Sequence, residues 1–188
     1  MSPESSYPSH STNNVLKFIH MKNFISNVIV LTGVTLICYL LLGQIIQISG
    51  ESMNPTIKNN EWILAEKISP KFGEFKRGEI VVFKSPENNN RLLIKRIIGL
   101  PNETMEIKYG LVYIDGKLLN EPYLITDAVK ENSEYKIGEN EYVMLGDNRE
   151  NSIDSREYGV VKKEGLLGRA LFVYKPIQNF RLLLLLRE

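Results

Sequence analysis

The two histidines of the chain, His10 and His20, both precede a long apolar run, so whatever chemistry follows that run proceeds without imidazole. A Ser-His-Asp triad, a Cys-His dyad and a histidine-ligated zinc all need a residue that region lacks. A hydrolase there requires a serine or threonine nucleophile and another base, and the usual replacement is a lysine that deprotonates easily. Two segments supply such groups. Ser52 stands in S-G-E-S-M-N-P-T (Ser49–Thr56), where Gly50 permits tight backbone geometry, Met53 is an apolar neighbour and Pro55 stiffens the exit. Such a turn can expose a hydroxyl beside backbone N–H groups, although serines also serve ordinary turns. Lys95 stands in R-L-L-I-K-R-I-I (Arg91–Ile98). Read as a strand, this places Leu93, Lys95 and Ile97 on one face and Ile94, Arg96 and Ile98 on the other. An ammonium titrates near ~10.4 in water, and burial among aliphatics pulls it toward the near-neutral value of a general base. The pattern alone fits a lysine snorkelling from an edge strand better than a catalytic one. Arg96, facing the other way, suits a carboxylate partner.

A third segment, G-D-N-R-E-N-S-I-D-S-R-E-Y-G (Gly146–Gly159), is dense in charge. It offers oxygen ligands, but Arg149 sits among them and the glycine and closing glutamate of an EF-hand loop are absent, so calcium is not expected. No metal and no cofactor is expected elsewhere. The single cysteine, Cys38, lies inside the apolar run, without a partner for a disulfide or a thiolate metal site. A formal net charge of +1 gives no basis for nucleic-acid binding.

These groups need a scaffold, and 188 residues allow one folded domain plus an anchor. The apolar run Val28–Gly43, extended by Ile25, Ile45 and Ile46, is long enough to cross a bilayer as a helix. Its exit, G-Q-I-I-Q-I-S, lacks a small-x-small cleavage site and points to a retained signal-anchor. Lys17 and Lys22 precede it, so the short N-terminal side is expected in the cytoplasm and the bulk outside. The expected organisation is a cytoplasmic tail at 1–24, disordered over its first 16 residues, a transmembrane helix at 25–44 and an extracytoplasmic domain at 45–188. That domain reads as mostly β, with strands at Trp62–Glu66, Glu79–Lys84, Arg91–Ile98, Met105–Lys108, Leu111–Ile114, Tyr142–Leu145 and Ala170–Tyr174. Asp115-Gly116 is a strong hairpin turn. The final F-R-L-L-L-L-L-R-E is too short to span a membrane and is expected to dock on the core, with contact to the lipid surface as the alternative.

Taken together and in this order after one N-terminal span, S-G-E-S-M-N-P-T, K-R-I-I-G-L-P and the Gly146–Gly159 segment resemble the type I signal peptidases. These are membrane-bound Ser-Lys proteases that remove signal peptides from exported proteins, and the resemblance covers roughly residues 25 to 175. It implies a signal-peptidase-like domain of antiparallel sheets on one transmembrane helix, in a bacterial cell membrane. It implies Ser52 as nucleophile, Lys95 as general base and Ser152 as the hydroxyl that orients the lysine. Arg96, Asp147, Arg149, Asp154 and Arg156 match residues that brace the site by ion pairing. The backbone N–H of Ser52 would be one oxyanion donor. The position two before the nucleophile, a serine in some members, is Gly50 here, as is common in Gram-positive members, which leaves its backbone, Ser49 or a water as the second donor. Ile46, Ile48 and Ser49, with Leu93 and Ile94, would flank an extended preprotein and form shallow pockets for small residues, giving cleavage after an Ala-x-Ala site. The implied partners are preprotein signal peptides and the lipid bilayer. A self-cleaving repressor-like protease would share the dyad but needs a DNA-binding domain in place of the span. A membrane-anchored β-domain that only binds would tolerate loss of Ser52 and Lys95.

Overall fold

The computed structural model describes residues 10–88, 91–124 and 132–183. The chain divides into two units, an N-terminal helix and a β-domain that begins at Leu42. The helix, α1, runs His10–Leu42. Within it Asn14–Ile37 is long and apolar enough to cross a membrane. Residues 10–16, expected as disordered tail, are helical, because Val15, Leu16, Phe18 and Ile19 already begin the apolar surface that continues through Leu36 and Ile37. The hydroxyls of Thr32 and Thr35 donate to the carbonyls of Val28 and Leu31 one turn earlier, so these polar groups are satisfied within the helix.

The helix stops two residues before the expected boundary, and Gly43–Gln47 is strand β1. The Q-I-I-Q-I pattern is β-branched and polar by turns, which suits an edge better than lipid. There follow β2 (Trp62–Glu66), a short helix α2 (Ser69–Phe72), β3 (Ile80–Lys84), β4 (Leu92–Gly99), β5 (Thr104–Lys108), β6 (Leu111–Ile114) and β7 (Lys117–Leu118). The remaining elements are β8 (Ser133–Lys136), β9 (Glu141–Leu145), α3 (Ser155–Tyr158), β10 (Val161–Lys162), β11 (Leu166–Lys175) and β12 (Arg181–Leu182). All seven expected strands are present within a few residues. Asp115 and Gly116 both adopt positive φ, 48° and 78°, as a two-residue hairpin turn of the first mirror-image type requires.

The larger sheet has the order β1-β2-β11-β3-β4-β9-β10, with β12 also on β11, and the smaller has β7-β6-β5-β8. Their pairings are antiparallel. One core cluster gathers Ile48, Met53, Ile57, Ile63 and Val82, with Ile46 and Ile94 against it. A second lies around Phe83, Ile97, Tyr142 and Met144. The third joins the sheets, as Ile98, Val143 and Leu145 of the larger pack on Met105, Ile107 and Val112 of the smaller. Of the leucine-rich tail, Leu182 pairs with Phe172 of β11 and Leu183 is buried in the first cluster, while 184–188 lie outside the described residues.

Candidate active site

Two pieces of backbone fix Ser52. Beyond β1 the chain is tied back on itself: the Ile48 N–H donates to Glu61 O and the Asn60 N–H to Ile48 O. The following residues Met53 and Ile57 are sealed in the core at 1% and 0% exposure, and the Ile57 N–H donates to Met53 O. From across the domain, Asn148 donates its backbone N–H to Ser52 O at 3.0 Å and its side-chain amide to Glu51 O at 3.2 Å. Gly50, at φ +106°, holds the bend before the serine, a conformation side-chain-bearing residues rarely adopt. Its N–H is not open for an oxyanion, because it donates to Asn59 Oδ1 at 3.0 Å. The Gly50 N–H is therefore already engaged in this structure. Among the described residues the Ser52 N–H donates to no other group.

The registers of β4 do the rest. Lys95 sits opposite Val81 of β3, and Arg96 opposite Leu145, the last residue of β9. The Gly146–Gly159 segment thus leaves β9 beside the two cations. Lys95 Nζ lies 2.7 Å from Ser52 Oγ. Its residue is 3% exposed, and burial lowers its pKa to about 8. The charges of Asp154 and Asp147 oppose that fall, and those of Arg91 and Arg156 assist it. Arg96, wholly buried, makes a forked pair with Asp147 through Nε and Nη2 at 2.8 and 2.6 Å, and its guanidinium lies 4.0 Å from the ring centre of Tyr123.

Asp154 caps α3 by accepting from the Arg156 N–H, pairs with the Arg156 guanidinium at 2.8 Å and accepts from the Gly146 N–H at 3.0 Å. Arg156 then reaches the carbonyls of Arg149 and Ser152. Arg149 donates to Gly146 O and pairs with Glu121. Ser152 departs from the expectation that it bonds the lysine: its Oγ is buried with no hydrogen-bond partner among the described residues. It rests on Gly146, where a Cβ would stand 2.2 Å from Ser152 Oγ and 2.5 Å from Ser52 O. That glycine lets the third segment close against the serine turn.

A cavity of about 710 Å3 opens onto Ser52 and Lys95, and Ser152 and Gly50 line it. Ile46, Ile48 and Ser49 form one wall, and Leu93 and Ile94 another. Sequence reasoning missed Asn59, Glu121 and Tyr123. No local signal marks their tasks, since Asn59 meets Gly50 and Glu121 meets Arg149, 9 and 28 residues away, and Tyr123 meets Arg96 on β4. Asn148 and Gly146 lay inside a quoted motif but had no assigned task.

The family described as signal peptidase, peptidase S26, matches residues 21–175. A probable signal peptidase I-2 from Synechocystis is 40% identical over 141 residues, which cover 72% of this chain and 65% of that protein, just under two thirds of its length. Signal peptidase I S of Bacillus subtilis is 36% identical, over 71% of this chain and 78% of its own. Signal peptidase IB of Staphylococcus aureus is 30% identical over 86% of this chain and 95% of its own length. A crystal structure of a signal peptidase I from Enterococcus faecalis V583 is 33% identical, covers 51% of this chain and 96% of that one, and has a TM-score of 0.47. By the extent of the family match and of the Staphylococcus aureus alignment, this chain belongs to the signal peptidase family, peptidase S26, whose type I members are serine peptidases.

Proposed function

We propose that this chain removes signal peptides from exported preproteins by a Ser52–Lys95 dyad, cutting after an Ala-x-Ala site. The observation that carries the reading is the 2.7 Å approach of a buried lysine to the serine hydroxyl, in a chain whose family is that of the signal peptidases. Lys95 has no carboxylate partner among the described residues. With burial lowering its pKa to about 8, a useful fraction is neutral amine near physiological pH.

In that state the Ser52 hydroxyl donates along the same line to Lys95 Nζ. As Oγ attacks the scissile carbonyl, the proton passes to Nζ and the carbonyl electrons move to oxygen. The Ser52 N–H, without another acceptor among the described residues, then donates to the oxyanion. Protonated Lys95 then gives its proton to the leaving amine, the C–N bond breaks and an acyl-enzyme remains. Lys95, neutral again, takes a proton from the water that attacks the acyl carbon and returns it to Ser52 Oγ as the ester C–O bond breaks. Ser152 lines the same cavity, and we assign its hydroxyl to orient the lysine once a peptide is bound. Arg96 with Asp147, and Asp154 with Arg156, brace β4 and the Gly146–Gly159 segment around the dyad.

Substrate geometry follows from the strand edges. β1 ends the larger sheet, and among the described residues the Leu92–Ile94 part of β4 pairs with β3 alone. An extended peptide can add as a strand between them, its alternate side chains meeting Ile46, Ile48, Leu93 and Ile94. We assign small side chains such as alanine to that space. From the apolar length of Asn14–Ile37 and the basic Lys17 and Lys22 toward its N-terminal end, we assign α1 as a single span, with its N-terminus in the cytoplasm and the β-domain outside, where signal peptides emerge.

The test is cleavage of a preprotein with an Ala-x-Ala exit by detergent-solubilised protein, compared with Ser52→Ala and Lys95→Met. Wild type should cut after the second alanine, and both variants should lose roughly 10⁴-fold or more while staying folded. Persistent cutting by either variant would overturn the dyad.

A further inference from the structure

Leu42 is the last helical residue and Gly43 the first of β1, so no linker separates the two units along the chain. Gln44 lines a second cavity, of about 350 Å3, together with Lys67, Pro70 and Lys71 around α2 and Lys163 and Glu164 before β11. Three lysines therefore face one carboxylate. None of the three makes an ion pair or side-chain hydrogen bond among the described residues. The neighbouring Glu66 is occupied, accepting from the N–H groups of Ile68 and Ser69 and pairing with Arg169. Beside these cations Phe72 is 85% exposed and Ile68 45%. A bare aromatic among unpaired lysines is poorly suited to water and well suited to an interface, where the ring reaches the acyl boundary and the ammoniums meet phosphates.

We propose that this lysine-lined cavity binds the phosphate of anionic lipid headgroups at the bilayer surface, with Phe72 inserted at the acyl boundary. The proposal rests on the reading of α1 as a span. A strand advances roughly 3.3 Å per residue, so Gln44 lies within about 7 Å of the end of the helix. The headgroup layer on each side of a bilayer is itself roughly 5 to 8 Å deep. The excess of lysine over carboxylate selects net anionic headgroups, since a zwitterionic one brings its own cation.

The experiment reconstitutes the full chain carrying Phe72→Trp in vesicles of phosphatidylcholine alone or mixed with phosphatidylglycerol, and measures quenching by brominated acyl chains. Wild-type protein gives the Trp62 background to subtract, and flotation reports anchoring. The protein should float with both vesicles, and quenching should be roughly threefold stronger with the anionic lipid. Lys67→Gln, Lys71→Gln and Lys163→Gln together should return it to the neutral-lipid level. Equal quenching in the two lipids, or no effect of the lysine changes, overturns the headgroup site and leaves the span intact. Protection of the three lysines by inorganic phosphate in detergent, together with equal quenching in the two lipids, assigns the cavity to the free anion and overturns the lipid as its source. Failure to float overturns the span, and this proposal with it.

Discussion

Lys95 and Arg96 are consecutive on one strand, both cationic by type and both buried, yet the fold treats them in opposite ways. Arg96 has a forked carboxylate at 2.6 and 2.8 Å, the carbonyl of Gly78 at 2.7 Å and the face of Tyr123. Lys95 has one hydroxyl, that of Ser52. A charge whose burial is compensated on every side holds strands in place, whereas a charge buried without compensation gives up its proton. Alternation along β4 puts these outcomes on opposite faces at adjacent positions. Lys95 is thereby mounted directly beside the braced Arg96. Arginine cannot be exchanged for lysine in either role, because its guanidinium stays charged and only its planar fork matches the carboxylate.

The sharpest way to break this contrast is to remove compensation where it exists. Asp147→Asn leaves the Arg96 guanidinium buried without its counter-charge and should cost about 3 to 5 kcal/mol. The urea midpoint of the detergent-solubilised protein would report it. A change under 1 kcal/mol, on the order of one neutral hydrogen bond, would mean that the pair contributes little to bracing. Replacing both partners by apolar residues of similar volume should be far milder, since no charge is then stranded.

The reverse experiment removes the uncompensated charge. In the unfolded chain Lys95 titrates at its ordinary value of 10.5, and in the folded protein at about 8. Between those values the unfolded state binds more protons, so stability rises with pH across that window. Below pH 8 both states are protonated and the folded one bears the full penalty. Lys95→Met should therefore stabilise the protein at pH 7, by up to about 3 kcal/mol at one pKa unit per 1.36 kcal/mol. It should also abolish the rise in stability toward pH 10. Activity has the same origin and the same sign. Wild-type cleavage should increase about tenfold per pH unit below a midpoint near 8 and level off above it. A rate flat from pH 6 to 9, roughly the window in which a lysine so buried exchanges its proton, would disconnect catalysis from Lys95.

Part of this contrast was legible in the sequence. The two-residue alternation of Leu93, Lys95 and Ile97 against Ile94, Arg96 and Ile98 is a local property, and β4 reproduces it, with Leu93 and Ile97 in one core cluster and Ile94 and Ile98 in others. Leu111–Ile114 and the Asp115-Gly116 turn were readable for the same reason, since turn chemistry and strand period act over a few residues. β1 was not, because Gln44–Gln47 continues an apolar run and only its pairing with Trp62–Ala65 shows it to be a strand. β8, S-E-Y-K, carries no apolar alternation and owes its place to β5. In the site, Asn59, Glu121 and Tyr123 acquire their meaning when distant loops close on Gly50, Arg149 and Arg96. Composition near each of them gives no hint of that closure.

Ser152 tests the contrast at its finest scale, because it too is a buried polar group left without compensation. An orphan hydroxyl costs about 1 to 3 kcal/mol in desolvation, so Ser152→Ala should leave the urea midpoint unchanged or raise it. A residue that only filled space would show no more than this. If its hydroxyl instead turns to Lys95 once a peptide occupies the cavity, kcat should fall roughly tenfold with KM little changed, on the order of one hydrogen bond made only during the reaction. Stability and rate would then move in opposite directions, as they do for Lys95 itself. A variant that lost stability and kept its rate would place Ser152 with Arg96, among the groups that hold the fold.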